Sequence, residues 1–250
     1  MQKILGYMRK AIQEFDLISD GDSIAVGVSG GKDSLVLLKG LILLKRFIGI
    51  DYKIVGVTLD PMFGGIAGDY SSVEEMCRKA DTEYHLIETH IGEIVFDVRE
   101  EEHPCSLCAR MRRGALHDAA KKYGCNKVAL GHHFNDAVET FIMNLFTEGR
   151  IGCFSPKSYL SLKDLTLIRP LVLAPEKEIK KAALKNSLGV VKSKCPADGY
   201  TNRQRTKEFL ADMERQDRGF TERIFGAMRR GNIDGWGGLS FESYGKNNAK

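Results

Sequence analysis

No apolar run in this chain is long enough to span a bilayer, and Leu35–Leu44 is interrupted by Lys39. No continuous apolar core follows Arg9 and Lys10, so the pattern of a signal peptide is missing. Ile4, Met8, Ala11, Ile12 and Phe15 instead share one face of a helix. The expectation is a cytoplasmic protein with no membrane partner. Two phosphate-loop signatures are also missing. A Walker loop needs glycine at position 26 and Ser or Thr after Lys32, where valine and Asp33 stand, and G-x-G-x-x-G does not occur after a strand. No second C-x-x-C accompanies Cys105–Cys108, which excludes a four-cysteine zinc site built from two knuckles. Net charge is only +4, so the chain as a whole is not a basic nucleic-acid binder. There is no internal repeat and no low-complexity linker.

What is present suffices for a full core: 250 residues, 43% of them hydrophobic. Charge is uneven. Glu176–Arg230 holds fourteen Lys/Arg against eight Asp/Glu, a basic final third that can meet a phosphate backbone or simply be solvated helix faces. The expected organisation is a domain over 1–199 and a basic helical extension over 200–250 that turns Gly-rich after Arg230 and frays.

The chain is organised around Ala25–Ser34, AVGVSGGKDS. Ile24–Val28 reads as a buried strand, Ser29-Gly30-Gly31 as a sharp turn, and Ser34, Leu35, Leu38 and Ile42 as the start of a helix. A strand, a glycine turn and a helix start gather backbone N–H donors and the positive helix end around an anion. Lys32 adds a cation, and Ser29 and Ser34 add hydroxyls. An ordinary strand–turn–helix junction asks only for the glycines, not for Ser, Lys, Asp and Ser together.

Further strands are expected at Lys53–Leu59, Tyr84–Ile87, Lys127–Leu130 and Thr166–Ile168. Helices are expected over 1–18, around Val73–Ala80, over Cys108–Tyr123, over Asp136–Phe146 and from Pro175 to Leu188, with 92–104 acidic and irregular. Alternation of this kind predicts an α/β fold with a doubly wound parallel sheet, whose ligands bind at the carboxyl ends of the strands. SGGKDS, Leu59-Asp60 and Gly131-His132-His133 all fall at such ends; the histidines are otherwise an ordinary polar strand end.

Cys105 and Cys108 form a C-x-x-C pair just before a helix, beside Arg110, Arg112 and Arg113, which favour thiolate over thiol. Cys195 lies in a basic loop after a strand-like Val190-Val191; Cys77 reads as core, Cys125 as core or surface, and Cys153 is ambiguous. Cys105, Cys108 and Cys195 are the best trio, and three thiolates leave one coordination position open. A redox C-x-x-C pair and a zinc site completed by His103 stay open as alternatives.

SGGKDS, PCSLCARMRRG, ALGHHFNDAVET and the lone Cys195, in that order, resemble the tRNA 2-thiocytidine synthetase family of pyrophosphate-loop (PP-loop) ATP pyrophosphatases, over roughly Ile18 to Arg215. The resemblance implies an ATP-dependent tRNA thiolase. It would adenylate the C2 oxygen of an anticodon-loop cytidine and replace it with sulfur, using ATP, Mg2+ and a 4Fe-4S cluster on Cys105, Cys108 and Cys195. Ser29, Gly30, Gly31, Lys32, Asp33 and Ser34 would hold the phosphates, Leu59 would meet adenine, and Gly131 and His132 would border the nucleotide. Lys32, Asp33 and Asp136 would be catalytic, and Arg110, Arg112 and Arg113 would contact RNA. A sulfur donor such as a cysteine desulfurase is implied as a partner, and a homodimer is compatible. The family commonly has two aspartates after the histidines; here the first is Asn135. The competing readings are another adenylating enzyme (lysidine synthetase-like or an amidotransferase) and a zinc-stabilised nucleotide- or RNA-binding module.

Overall fold

The computed structural model describes residues 1–99, 104–191, 195–196 and 202–238. Six strands form one sheet: β1 (Asp22–Gly27), β2 (Tyr52–Asp60), β3 (Glu83–Glu88), β4 (Lys127–Ala129), β5 (Lys157–Leu160) and β6 (Leu165–Ile168). Their order is β3-β2-β1-β4-β6-β5. Adjacent pairs from β3 through β6 are parallel, while β5 runs antiparallel to β6. The doubly wound α/β class expected from the sequence is therefore present, with a correction at one edge. Lys157–Leu160 alternates exposed and half-buried side chains, has little apolar pattern, and pairs through a tight turn at 161–164. A strand with one wet face gives a weak signal in so short a run.

Among the described residues, eight helices accompany the sheet: α1 (Gln2–Glu14), α2 (Lys32–Leu44), α3 (Ser71–Lys79), α4 (Pro104–Lys122), α5 (Phe134–Thr147), α6 (Glu176–Lys185), α7 (Asn202–Gln216) and α8 (Phe220–Arg230). β2 is buried at every position but Lys53, as a strand covered on both faces must be. On one face Leu35, Leu38 and Leu41 of α2 meet Ile4 and Met8 of α1 and Ile179 of α6. On the other, Leu116, Ala119 and Ala120 of α4 cover Val55, Val57 and Leu167. No described helix is long and apolar enough to cross a membrane.

Four local expectations are revised. The acidic stretch is not irregular throughout, because Glu93–Val98 forms a π-helical turn that buries Val95 against Cys108. The C-x-x-C pair does not precede a helix but lies within α4, at the N-terminal end of its described residues Pro104–Lys122. Val190-Val191 belongs to no strand, although the Val191 N–H donates to the Gly30 carbonyl at 3.0 Å. The Gly-rich end does not fray at Arg230. Trp236 is wholly buried against Phe15, Phe154 and Phe225, and its indole N–H donates to the Phe154 carbonyl at 2.8 Å. Glycine content hid a single aromatic that anchors the segment. Leu210, Phe225 and Met228 join the same core, so the basic extension is packed on the sheet domain. Residues from 239 on, His103, and Lys192 to Lys194 lie outside the described residues.

Candidate nucleotide site and thiol cluster

β1 and β4 are neighbours whose chains continue in opposite directions along the sheet, β1 toward β2 and β4 toward β6, and a crevice opens above their carboxyl ends. There the structure has a cavity of about 460 Å3. Ser29, Asp33 and Ser34 line it from the glycine loop, Leu59 from β2, and Gly131, His132 and Asp136 from the β4–α5 junction. Ala109, Arg112, Arg113 and Leu116 close it from α4. A larger cavity of about 770 Å3 lies at the other end of the strands, beside Lys53 and Glu83, and gathers none of these groups.

The loop is held by its own hydroxyls. Ser34 Oγ donates to the Gly31 carbonyl at 2.9 Å, and Ser29 Oγ donates to Ser34 Oγ at 3.2 Å. α2 starts at Lys32, two residues earlier than the sequence suggests, so its free N–H groups face the crevice. Gly30 has φ +79°, and a Cβ there would sit 2.7 Å from the Cβ of Val191. Gly131 lets β4 close on α2, since its Cβ would lie 3.2 Å from the Ser34 nitrogen. Gly30→Ala is expected to cost about 1–2 kcal/mol from the backbone alone. The clash with Val191 adds to that, and the loop moves out of register. Nucleotide affinity should fall about tenfold or more for each ~1.4 kcal/mol of loop distortion, read by equilibrium ATP binding beside a thermal melt.

The charges are arranged in pairs. Lys32 Nζ lies 2.9 Å from Asp33 Oδ2 and 3.2 Å from Glu176 Oε1. Burial works against the Lys32 ammonium, but the bond to Asp33 and the charges of Asp33 and Glu176 prevail, and its pKa lies above the ordinary value. Glu176 is shared with Lys180 and Lys207, each at 3.2 Å. Burial opposes its charged form, yet the lysines hold it down at about 2. His133 and Asp136 make a capping box at the start of α5. Asp136 Oδ2 accepts from the His133 N–H at 2.9 Å, and Oδ1 accepts from Arg203 at 3.1 Å. Glu139, buried one turn on, is pushed up to about 7 by burial, with Asp136 adding to the shift. Burial lowers the pKa of His132, so its imidazole is neutral. Asn135 accepts from the Glu176 N–H at 2.9 Å and thereby caps α6.

Several buried polar atoms here have no hydrogen-bond partner among the described residues: Asp33 Oδ1, which has only His133 Nε2 at 3.7 Å, His132 Nδ1 and His117 Nε2. All three residues line the 460 Å3 cavity. Buried polar groups go unpaired at a cost, so such atoms mark where a polar ligand completes the site. A carboxylate oxygen of Asp33 and the nearby Asp136 suit a hard cation.

On the neighbouring wall Cys108 is buried, Cys105 exposed and Cys195 half-buried. Burial pushes the Cys108 thiol up, Arg112 pulls it back, and both Cys195 and Cys105 act on it as like charges. The three thiols thus share one neighbourhood. Among the described residues, no group of three His, Cys, Asp or Glu is gathered tightly enough to hold a single metal ion. A mononuclear zinc site needs its sulfurs all about 2.3 Å from one atom, whereas a cluster spreads its thiolates over separate irons. Cys77 and Cys125 are buried elsewhere, and the Cys153 thiol donates to the Ala137 carbonyl at 3.3 Å. Of the three arginines, Arg112 and Arg113 line the cavity, while Arg110 is exposed and does not. Glu176, Arg203 and Lys207 have no motif of their own; only the proline that opens α6 hinted at Glu176.

The chain is similar to known proteins. A PP-loop domain family model matches residues 4–213. A tRNA-cytidine(32) 2-sulfurtransferase of Citrifermentans bemidjiense is 40% identical over 218 residues, 86% of this chain and 85% of that protein. A protein of the same name from Ralstonia nicotianae is 36% identical over 222 residues, 88% of this chain and 70% of its own. Among solved structures, the U34-tRNA thiolase NcsA of Methanococcus maripaludis, with its 4Fe-4S cluster, superposes with a TM-score of 0.71. It is 23% identical, and the match covers 90% of this chain and 77% of that one.

Proposed function

This chain belongs to the tRNA-cytidine 2-sulfurtransferases of the PP-loop family, and from that premise we propose that it is an ATP-dependent tRNA thiolase that converts an anticodon-loop cytidine to 2-thiocytidine. The observation that carries the proposal is the shared wall: α4 lines the nucleotide cavity with Arg112 and Arg113 and carries Cys108 about one turn and Cys105 about two turns earlier.

The glycine loop and the α2 N-terminus take the ATP phosphates, and Leu59, Leu116 and Leu130 give the adenine an apolar seat. The cytidine C2 oxygen attacks the α-phosphorus. The new O–P bond forms as the bond to the β-phosphate oxygen breaks, and pyrophosphate leaves. Lys32, already fully protonated, meets the charge that develops on that leaving group. Asp33 and Asp136 would hold Mg2+ beside the phosphates. A sulfide-level sulfur atom then adds to C2, and the C2–O bond breaks with loss of AMP and the sulfur's proton. Neutral His132 borders this site and stays out of the charge balance. Cys105, Cys108 and Cys195 would hold a 4Fe-4S cluster, whose iron without a protein ligand supplies a docking point for the incoming sulfur. The sulfur comes from a donor such as a cysteine desulfurase. The tRNA enters by its anticodon loop, where bases unstack cheaply, and the cytosol is where these partners meet.

The test is anaerobic incubation of the iron-loaded chain with ATP, sulfide and a tRNA carrying cytidine at position 32, the position in the relatives' names. Equal amounts of AMP and 2-thiocytidine are expected by chromatography and mass spectrometry. Pyrophosphate release with no sulfur in the RNA would move the chain to the other adenylating enzymes.

A further inference from the structure

A second compartment, of about 240 Å3, opens directly beside the nucleotide cavity. Ser29 and Arg112 line both, so one serine and one guanidinium stand on the partition. Its remaining walls include Asp60, Phe63, Ile66 and Tyr70. Phe63 also packs against Cys108, Ile91 and Val95 and meets Phe96 edge-on, with ring centroids 5.7 Å apart. One aromatic wall of the compartment therefore belongs to the cluster that buries Cys108. The compartment lies between the phosphate loop and the thiols, where a group that is first adenylated and then met by sulfur has to sit.

Its chemistry suits a flat, polar-edged ring. Phe63 and Tyr70 offer aromatic surface, and base–aromatic stacking is worth about 1–3 kcal/mol per base. Ile66 is 60% exposed and marks the open side. Asp60, Tyr70 and Arg112 are mutual neighbours: burial raises the Tyr70 phenol, the Asp60 charge raises it further, and Arg112 draws it back. Asp60 is buried at the end of β2. Its Oδ1 accepts from the Met62 N–H at 3.0 Å and its Oδ2 from the Gly68 N–H at 2.6 Å. A carboxylate has about four acceptor positions, so each oxygen retains one. Arg112 brings donors only.

We propose that this compartment is the acceptor-base pocket, taking one unstacked cytosine with its carbonyl edge toward Arg112 and its exocyclic amino group donating to Asp60. Resting on the thiolation reading above, it assigns the discrimination between the two pyrimidines to a single carboxylate. Cytosine places an N–H2 donor where uracil places an oxygen acceptor. A uracil oxygen against the Asp60 carboxylate leaves two acceptors facing each other in a buried site, which is rejection by repulsion as well as by a missing bond. Arg112 then serves the base and the adjoining phosphate, in place of the RNA-backbone role expected from the sequence.

Two measurements test the assignment. First, an anticodon stem-loop RNA with 5-bromocytidine at the target position is irradiated on the unaltered, iron-loaded chain, and the crosslinked peptide is sequenced. Crosslinks at Phe63 or Tyr70 are expected; crosslinks confined to the outer face of α4 around Arg110, or to α8, would overturn the pocket. Second, Asp60→Asn keeps one acceptor for the loop and presents an amide donor to the base. The ratio of RNA-dependent pyrophosphate release with cytidine against uridine at the target position should fall about 10- to 100-fold, with RNA-free ATP binding unchanged. An unchanged ratio with ATP binding intact overturns the role of Asp60. If the substitution disrupts ATP binding, the crosslink map on the unaltered chain decides. Absence of any RNA-dependent pyrophosphate release from the unaltered chain is a failure of the thiolation reading, distinguishable because it needs no variant and no crosslink.

Discussion

Replacing Lys32 with alanine is expected to slow pyrophosphate release by about 10²–10³-fold, the scale for removing one preorganised charge from a developing oxyanion. The loss should fall on kcat more than on ATP affinity, because the loop N–H groups and the α2 N-terminus still bind the phosphates. The protein should fold normally. Glu176 keeps Lys180 and Lys207 at 3.2 Å after the substitution, so no buried carboxylate is stranded. Asp33 gives up its 2.9 Å partner but is not deeply enclosed. The visible spectrum of the iron-loaded chain should be unchanged, because Lys32 does not border the thiols. Lys32→Arg should not restore the rate: a planar guanidinium is a different shape from a compact ammonium and has two carboxylates to satisfy in the same space. A single-turnover assay with radiolabelled ATP and saturating tRNA reads the effect. A rate within threefold of the unaltered chain would remove Lys32 from the chemistry.

Much of that phosphate site was legible in the sequence because it is local. Strand, glycine turn and helix start follow one another within ten residues of AVGVSGGKDS, and in the proposed site the backbone would do the binding. The same holds for α4, where two cysteines and two cavity arginines ride on one helix face, and for the end of β4, where Gly131 and His132 sit next to the strand that places them. The groups that balance the charge were not legible. Glu176, Arg203 and Lys207 come from helices beyond the sheet; Glu176 meets Lys32, Arg203 meets Asp136 and Lys207 meets Glu176 only through packing. No spacing rule encodes a contact between residues 136 and 203. β5 escaped for a different reason: its exposed face carries no apolar alternation, and it exists because β6 offers it an edge. Trp236 escaped because a lone aromatic among glycines has no period, although one well-placed ring can hold a segment that composition reads as loose. Asp60 was visible only as a strand end. Its carboxylate gains meaning from Tyr70 and Arg112, which approach it from α4 and from the loop before α3.

The shared partition also orders the chemistry. A base held between Ser29 and Phe63 meets the α-phosphate on one side and the thiol neighbourhood on the other without turning over. Activation and sulfur delivery then occur at one bound position, which keeps the adenylated cytidine away from water, where hydrolysis would return the starting base.

Cys195→Ala separates the two halves of this arrangement. Thiolation should fall by at least ~100-fold, since loss of a ligand exceeds the 10- to 100-fold typical of losing an outer partner. The iron–sulfur absorbance of the anaerobically loaded chain should fall with it. ATP binding should match that of the unaltered chain, because the 460 Å3 cavity draws no side chain from residue 195. The argument for Cys195 over the remaining cysteines is positional. Cys77 and Cys125 are buried in the two faces of the core, and Cys153 spends its thiol on the Ala137 carbonyl with its pKa pushed up to about 12 by burial. Among the described cysteines, Cys105 and Cys195 are the ones whose charge acts on Cys108. Cys153→Ala is therefore the control, expected to keep both spectrum and thiolation. Cys108→Ala should lose both, with an added drop in stability because its side chain packs with Ile91 and Val95. An iron content and spectrum unchanged in Cys195→Ala would leave the C-x-x-C pair without its third arm, and the chemistry of this wall would then be that of a two-cysteine redox pair.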